Sequence, residues 1–203
     1  MVPPSSAVKP VIQRQSRRAL LRAGVVLLAG RLWWPGVAAT FSTPVLARAE
    51  LDTLKPLSLP SPSVQFDNDA GNKLQLADYR GTPLVVNFWA SWCAPCIHEL
   101  PDLVQLHSRL KAVGMAVLLI SVDRGGAEKA ADFLDAQGVP SAAEGPLRGY
   151  DPSGKLARAF GLRGLPSSVL INRHGQPLYM VEGPAAWASD PVAAEIIRLL
   201  QDS

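Results

Sequence analysis

The 203-residue chain is 48% apolar, enough for one domain with a hydrophobic core and an additional leader. A core of this size needs no disulfide staples, so the only two cysteines are available for chemistry. Residues 1–49 contain seven of the 20 Lys and Arg and no acid, which leaves 13 basic against 17 acidic residues in the remainder. The body of the protein is therefore mildly acidic, which excludes an electrostatic basis for nucleic-acid binding.

Residues 1–49 are predicted to be an export signal. The segment 16–22 (SRRALLR) resembles the twin-arginine export motif, and Ala47-Arg48-Ala49 fits the small-x-small rule for cleavage before Glu50. The apolar run at 23–30 is far shorter than the roughly 20 residues that span a bilayer. We therefore expect export to the periplasm. A membrane-tethered form and a basic arm that binds acidic partners are the alternatives.

Residues 50–63 are rich in Pro, Ser and Leu and are predicted to be an extended linker. Periodic structure begins near Val64, where a domain spanning 64–203 is expected to start. Alternation of apolar and polar residues predicts strands at 63–67 and 73–76, and the polar residues 68–72 predict the turn between them. The domain therefore begins with a β-hairpin.

The middle of the chain has the pattern of a β-α-β unit. Short apolar runs at 84–89 and 116–122 predict buried strands of a parallel or mixed sheet. Helical spacing from 93 to about 113 predicts a helix that Pro101 kinks and that ends near Gly114. A crossover of this kind is almost always right-handed.

The C-terminal part contributes helices and an antiparallel hairpin. Helices are predicted at 127–137, at 156–160 and at 191–200, and strands at 168–171 and 177–181 with a turn at 172–175. The main order after the first hairpin is β-α-β-α-β-β-α. This predicts an α/β protein with a thioredoxin fold, in which helices flank a central mixed β-sheet, and with an N-terminal β-hairpin extension.

Two cysteines in the sequence Trp92-Cys93-Ala94-Pro95-Cys96 lie at the predicted junction of strand and helix. Unpaired N–H groups and the helix dipole stabilise a thiolate at a helix N-terminus, so Cys93 is the predicted nucleophile. Cys96 lies one turn later, close enough to resolve a mixed disulfide. Pro95 is tolerated in the first turn, and Trp92 provides a flat surface beside the sulfurs.

The sequence gives less support to a structural or a metal-binding role for the two cysteines. A structural disulfide over so short a loop constrains the unfolded chain little. A zinc site requires further ligands, but there is no second cysteine pair, and His98, His107 and His174 lack zinc-site spacing and are expected at the surface. We predict no metal and no cofactor other than the redox-active Cys93–Cys96 disulfide. A copper metallochaperone stays an alternative, because soft thiolates suit Cu(I).

The block 87–101 (NFWASWCAPCIHELP) resembles the signature of the TlpA/ResA-type thioredoxin-like proteins, in the wider redoxin or AhpC-TSA-like superfamily. The resemblance extends over about residues 60–200. It implies an extracytoplasmic thiol–disulfide oxidoreductase, of a group that often supplies reductant to cytochrome c maturation or to other periplasmic targets. The same resemblance implies roles for residues outside the cysteine motif.

Residues 164–168 (GLPSS) resemble the loop with a cis-proline that faces the cysteines in thioredoxin folds, which implies that Leu165 and Pro166 contact the substrate. Glu99 matches the family's acid, and Asn87 occupies the place of the buried Asp of thioredoxin. At three residues after Cys96, a partly buried Glu99 with a raised pKa would move the Cys96 proton. The alternative is a solvated Glu near the helix N-terminus.

These observations predict a monomeric enzyme that reduces disulfides of exported partner proteins and receives electrons from a membrane thiol–disulfide carrier. A dithiol oxidase using the same pair is the reverse possibility. A thiol peroxidase is disfavoured because the context of Cys93 is not that of a lone peroxidatic cysteine. The predicted site comprises two cysteines, an acid and four contact residues: Cys93, Cys96, Glu99, Trp92, Pro95, Leu165 and Pro166.

Overall fold

A computed structural model describes residues 54–201, so the predicted leader and cleavage site lie outside the described part of the chain. One eight-stranded mixed sheet runs in the order β1-β8-β7-β4-β5-β6-β2-β3. The strands are β1 Leu54–Pro56, β2 Phe66–Asn68, β3 Lys73–Leu74, β4 Leu84–Trp89, β5 Ala116–Ser121, β6 Leu147–Tyr150, β7 Ser167–Ile171 and β8 Pro177–Glu182. The helices are α1 Ala94–Lys111, α2 Gly126–Ala136, α3 Lys155–Ala159 and α4 Asp190–Gln201, with a 3₁₀-helix at Leu76–Tyr79. The predicted thioredoxin fold is confirmed.

Strand β4 is the centre of the sheet, and all six of its residues are buried. It pairs parallel with β5 and antiparallel with β7. Because side chains alternate along a strand, Val85 and Trp89 join a cluster with α1, α2 and α4, whereas Val86 and Phe88 join a second cluster on the other face. A strand buried on both faces is a continuous apolar run, which is why the sequence predicts it well.

Helix α1 follows β4 after a short turn, with Cys93 as its N-cap residue in an extended conformation. Pro95 lies in its first turn, and the helix continues through Pro101, whose side chain is exposed. Arg109 and Lys111 in the last turn complement the negative end of the helix dipole. Within residues 54–201, no helix has the length and apolar character needed to cross a bilayer.

The predicted linker is wrong over residues 54–56, which form strand β1 at the edge of the sheet. Leu54 pairs with Val181 and Pro56 with Tyr179 in an antiparallel arrangement. The N–H of Leu57 then donates to the carbonyl oxygen of Leu178 at 2.8 Å. An edge strand tolerates Pro, because one side of the strand needs no partner, so a Pro-rich composition alone does not exclude a strand.

Strand β6 is absent from the predicted order of elements. It runs parallel to β5 and antiparallel to β2, and so joins the N-terminal hairpin to the main sheet. Its sequence (LRGY) contains a buried Arg148, which donates to the carbonyl oxygen of Val139 at 2.7 Å and pairs with Asp135 at 2.9 Å. A Cβ at Gly149 would lie 2.5 Å from Cδ1 of Ile120. Close packing therefore requires glycine at this position. Because glycine has no side chain, it interrupts the apolar pattern by which a buried strand is predicted from the sequence.

Candidate active site

The cysteine pair lies where β4 ends and α1 begins. Cys93 and Cys96 form a disulfide with their Cα atoms 5.3 Å apart. Cys93 is 6% exposed and Cys96 is fully buried, so Cys93 is the more accessible residue of the pair. The predicted roles, in which Cys93 attacks and Cys96 resolves, stay predictions. Two of the contact residues predicted beside them, Trp92 and Pro95, are exposed, and Trp92 is 72% exposed.

The predicted cis-proline is present, since the Leu165–Pro166 peptide bond is cis. Pro166 is buried and immediately precedes β7, whose Ser167 is paired with Phe88 near the end of β4. This pairing brings the loop to the edge of the sheet from which Cys93 emerges. Leu165 is half-buried and packs against both hydrophobic clusters. Contact of either residue with a substrate stays a prediction.

Glu99 is 4% exposed, so its interpretation as a solvated surface residue is wrong. Its Oε1 accepts a hydrogen bond from Nδ2 of Asn87 at 2.7 Å, and its Oε2 accepts one from Nε1 of Trp187 at 3.0 Å. Burial raises the pKa of Glu99 to about 7, although hydrogen bonds from Trp187, Asn87 and the backbone of Ala185 oppose the shift. A carboxyl that titrates near neutral pH is suited to proton transfer.

The side chain of Asn87 on β4 makes hydrogen bonds to residues of both α1 and β7. Besides Glu99, its Nδ2 donates to Oγ of Ser168 at 3.0 Å, and Ser168 lies opposite Asn87 in the β4–β7 pairing. Ser168 and Trp187 were not predicted as site residues. Trp187 lies in a short loop between β8 and α4, without a periodic pattern that would place it in the core.

A second buried carboxylate, Asp123, holds the turn that precedes Cys93. Its Oδ2 accepts a hydrogen bond from the backbone N–H of Ser91 at 2.8 Å, and its Oδ1 accepts one from Oγ of Ser91 at 3.0 Å. Oγ of Ser121 donates to the same carboxylate at 3.0 Å. Sequence reasoning could have placed Asp123 beside Ser91 from the parallel pairing of β4 and β5. The carboxyl ends of parallel strands meet at one edge of a sheet, and these two residues follow the two strands.

Substitution of Asp123 by Asn is expected to lower the free energy of unfolding by about 1–3 kcal/mol, because the amide offers one acceptor atom where the carboxylate offers two. Urea denaturation of the oxidised protein measures this loss. Ser91→Ala is the matched control, since it removes only the Oγ contact and keeps the backbone bond, and its loss is expected to be smaller. Equal stabilities of Asp123→Asn and the unsubstituted protein would contradict this role of Asp123.

His107 is buried rather than at the surface, which corrects the sequence-based expectation. Its Nδ1 accepts a hydrogen bond from the backbone N–H of Val117 at 3.3 Å, and burial lowers its pKa. His98 and His174 are exposed. Within residues 54–201, no cluster of three or more His, Cys, Asp or Glu side chains has a geometry that would hold a metal ion.

A central mixed sheet, flanking helices and a Cys-x-x-Cys pair at a helix N-terminus define a thioredoxin-like protein. The chain belongs to the AhpC/TSA family, whose pattern it matches over residues 57–177.

Several named proteins are similar to this chain. It is 26% identical to the thiol-disulfide oxidoreductase ResA of Bacillus thuringiensis subsp. konkukian (strain 97-27) over 121 residues, which are 56% of this chain and 62% of the relative. It is also 26% identical to ResA of Geobacillus thermodenitrificans (strain NG80-2) over 172 residues, 84% of this chain and 90% of that protein. The match thus spans less than two thirds of the Bacillus protein.

Among solved structures, the fold is similar to a putative thiol:disulfide interchange protein DsbE from Chlorobium tepidum. The TM-score is 0.60 with 29% sequence identity, and the match covers 70% of this chain and 95% of that one. The likeness therefore includes nearly the whole of that protein.

Proposed function

We propose that the protein is an exported thiol–disulfide oxidoreductase that reduces disulfides of extracytoplasmic partner proteins. The observation that carries the proposal is the asymmetry of the cysteine pair at a helix N-terminus: Cys93 keeps 6% of its surface exposed, while Cys96, one turn later, is fully buried. Relatives that are named thiol-disulfide oxidoreductases support it. No cofactor other than the cysteine pair itself is needed for this reaction.

In the first step, the thiolate of Cys93 attacks one sulfur of the partner disulfide. The partner's S–S bond breaks, a mixed disulfide forms, and the released partner sulfur takes a proton. In the second step, Cys96 gives its proton to the carboxylate of Glu99 and attacks the sulfur of Cys93. The S–S bond between Cys93 and the partner breaks, and the second partner sulfur leaves as a thiolate that takes a proton from water. Glu99 returns its proton to water, and the protein is left with the Cys93–Cys96 disulfide.

The two electrons that the partner gains must be returned to the protein in each cycle. We infer that a membrane thiol–disulfide carrier supplies them by reducing the Cys93–Cys96 disulfide through its own dithiol. The leader at 1–49 supports export to the periplasm, with a tethered form as the alternative. Cytochrome c maturation is one process in which disulfides need such a reductant.

The reduction potential tests the direction of transfer. We expect the Cys93–Cys96 couple, equilibrated with glutathione buffers, to have a potential more negative than about −180 mV, the value of protein disulfide isomerase. The measurement is the fraction of oxidised protein by thiol alkylation and mass spectrometry. A less negative potential, towards the roughly −120 mV of DsbA, would overturn the reductant function and favour a dithiol oxidase.

A further inference from the structure

The loop that connects β8 to α4, residues 183–189, covers the buried carboxyl of Glu99. Trp187 is fully buried in this loop, and its Nε1–H donates to Oε2 of Glu99 at 3.0 Å. The backbone of Ala185 also hydrogen-bonds to the carboxyl. One oxygen of Glu99 is thus held by this loop, while the other is held by Asn87 from the sheet.

The 183–189 loop is itself fixed at both ends. The N–H of Gly183 donates to the carbonyl oxygen of Pro166 at 3.0 Å, which joins the loop to the cis-proline segment. At the other end, Nη1 of Arg109 donates to the carbonyl oxygen of Ala188 at 2.5 Å, and the same guanidinium pairs with Asp190 at 2.9 Å. Helix α1 therefore contacts the loop both through Glu99 and through Arg109.

We propose that Trp187 is a positioning residue of the redox centre, which holds Oε2 of Glu99 and stabilises the ionised carboxylate that accepts the proton of Cys96. The inference rests on the proposed function, in which Glu99 exchanges that proton. Tryptophan suits the task because its indole N–H only donates and does not titrate in water. It orients the acid and cannot take the proton in its place.

The surroundings of Glu99 explain why such a donor is needed. Burial is the largest influence and disfavours the charged form, and the negative charge of Asp102 on the same helix acts in the same direction. The groups that face the carboxyl from β4 and the 183–189 loop, Asn87, Trp187 and the Ala185 backbone, are uncharged donors. In the reduced protein, Cys96 on α1 is the further titratable group. Without the indole donor, a larger fraction of Glu99 would be protonated at neutral pH, and less of the carboxylate could accept a proton.

The test is the titration of Glu99 in full-length oxidised protein carrying Trp187→Phe, followed by ¹³C NMR of labelled Glu carboxyls. Loss of a hydrogen bond to a charged group is expected to raise the midpoint by about one pH unit. Trp89→Phe is the matched control: Trp89 is also fully buried in the same cluster, but its indole N–H has no hydrogen-bond partner among residues 54–201. An unchanged midpoint in Trp187→Phe, or an equal shift in both variants, would overturn the proposal.

A second measurement needs no tryptophan variant and covers the case in which Trp187→Phe does not fold. In the unsubstituted protein, the indole N–H resonance of Trp187 is expected to shift with a midpoint near pH 7, and this shift is expected to vanish in Glu99→Gln. A resonance that does not respond to pH would overturn the coupling.

The rate of disulfide reduction separates the two proposals. If Glu99→Gln reduces disulfides as fast as the unsubstituted protein, the proton role of Glu99 fails, whatever the NMR titration shows. If Glu99→Gln is slow but the rate profile of Trp187→Phe keeps its midpoint, the proton role stands and the positioning role of Trp187 fails.

Discussion

Cys93→Ser is expected to reduce the disulfide-reductase activity to the level of the uncatalysed reaction. Cys93 is the more accessible cysteine of the pair, and its loss leaves only the fully buried Cys96, which a protein disulfide cannot approach. The measurement is the reduction of insulin followed by the turbidity of the released chains. This is the largest effect that we expect from any single substitution.

Cys96→Ser is the companion variant and is expected to behave differently. Cys93 still attacks, but no resolving thiol follows, so the partner stays attached as a mixed disulfide. Non-reducing electrophoresis and mass spectrometry of material from the native compartment would then identify the attached proteins. Formation of mixed disulfides by Cys93→Ser instead of Cys96→Ser would show that the two roles are reversed.

Glu99→Gln is expected to slow the resolution of the mixed disulfide by about a hundredfold at neutral pH, because it removes the general base for Cys96. In the unsubstituted protein, the carboxylate accepts a proton only when ionised, so the rate is expected to rise as the pH passes about 7. The variant is expected to lose this rise. Stopped-flow measurement of single-turnover resolution between pH 5 and pH 9 detects both effects.

Glu99→Gln is also expected to change how the free energy of unfolding depends on pH, and this effect can be measured without an activity assay. The pKa of Glu99 is raised from 4.5 to about 7 in the folded protein, so the neutral acid stabilises the fold at low pH and this contribution is lost as the pH rises from 4.5 through 7. The loss amounts to about 3 kcal/mol. Urea denaturation across this range is expected to show the loss in the unsubstituted protein and not in Glu99→Gln. Identical pH profiles would contradict the raised pKa.

Several of the elements that the sequence predicts correctly have long or fully apolar patterns. Strands β4 and β5 are buried on both faces, and helix α1 has many turns of regular spacing. The elements that it misses have their patterns interrupted for local reasons. β6 contains a buried Arg148 whose Nη2 donates to the carbonyl oxygen of Val139, and β1 contains a Pro that an edge position tolerates.

The residues of the candidate site also fall into those that the sequence indicates and those that it misses. The spacing of the two cysteines indicates them directly, whereas Glu99 and Pro166 are indicated by the resemblance of their surrounding motifs to those of TlpA/ResA-type proteins. Asp123 and Trp187 reach the site from other elements, and only tertiary structure shows that they contact Ser91 and Glu99. Residues that hold the chemical groups in place are therefore harder to predict than the groups themselves.

Strand β1 affects how the protein should be shortened for experiments. The family pattern begins at residue 57, after β1, so a fragment cut to that boundary would lack Leu54–Pro56. The outer side of β8 would then present unpaired N–H and C=O groups to other molecules, which is how exposed edges initiate strand pairing between chains and aggregation. A fragment that keeps Leu54–Pro56 is therefore expected to associate with copies of itself less than one that begins at residue 57.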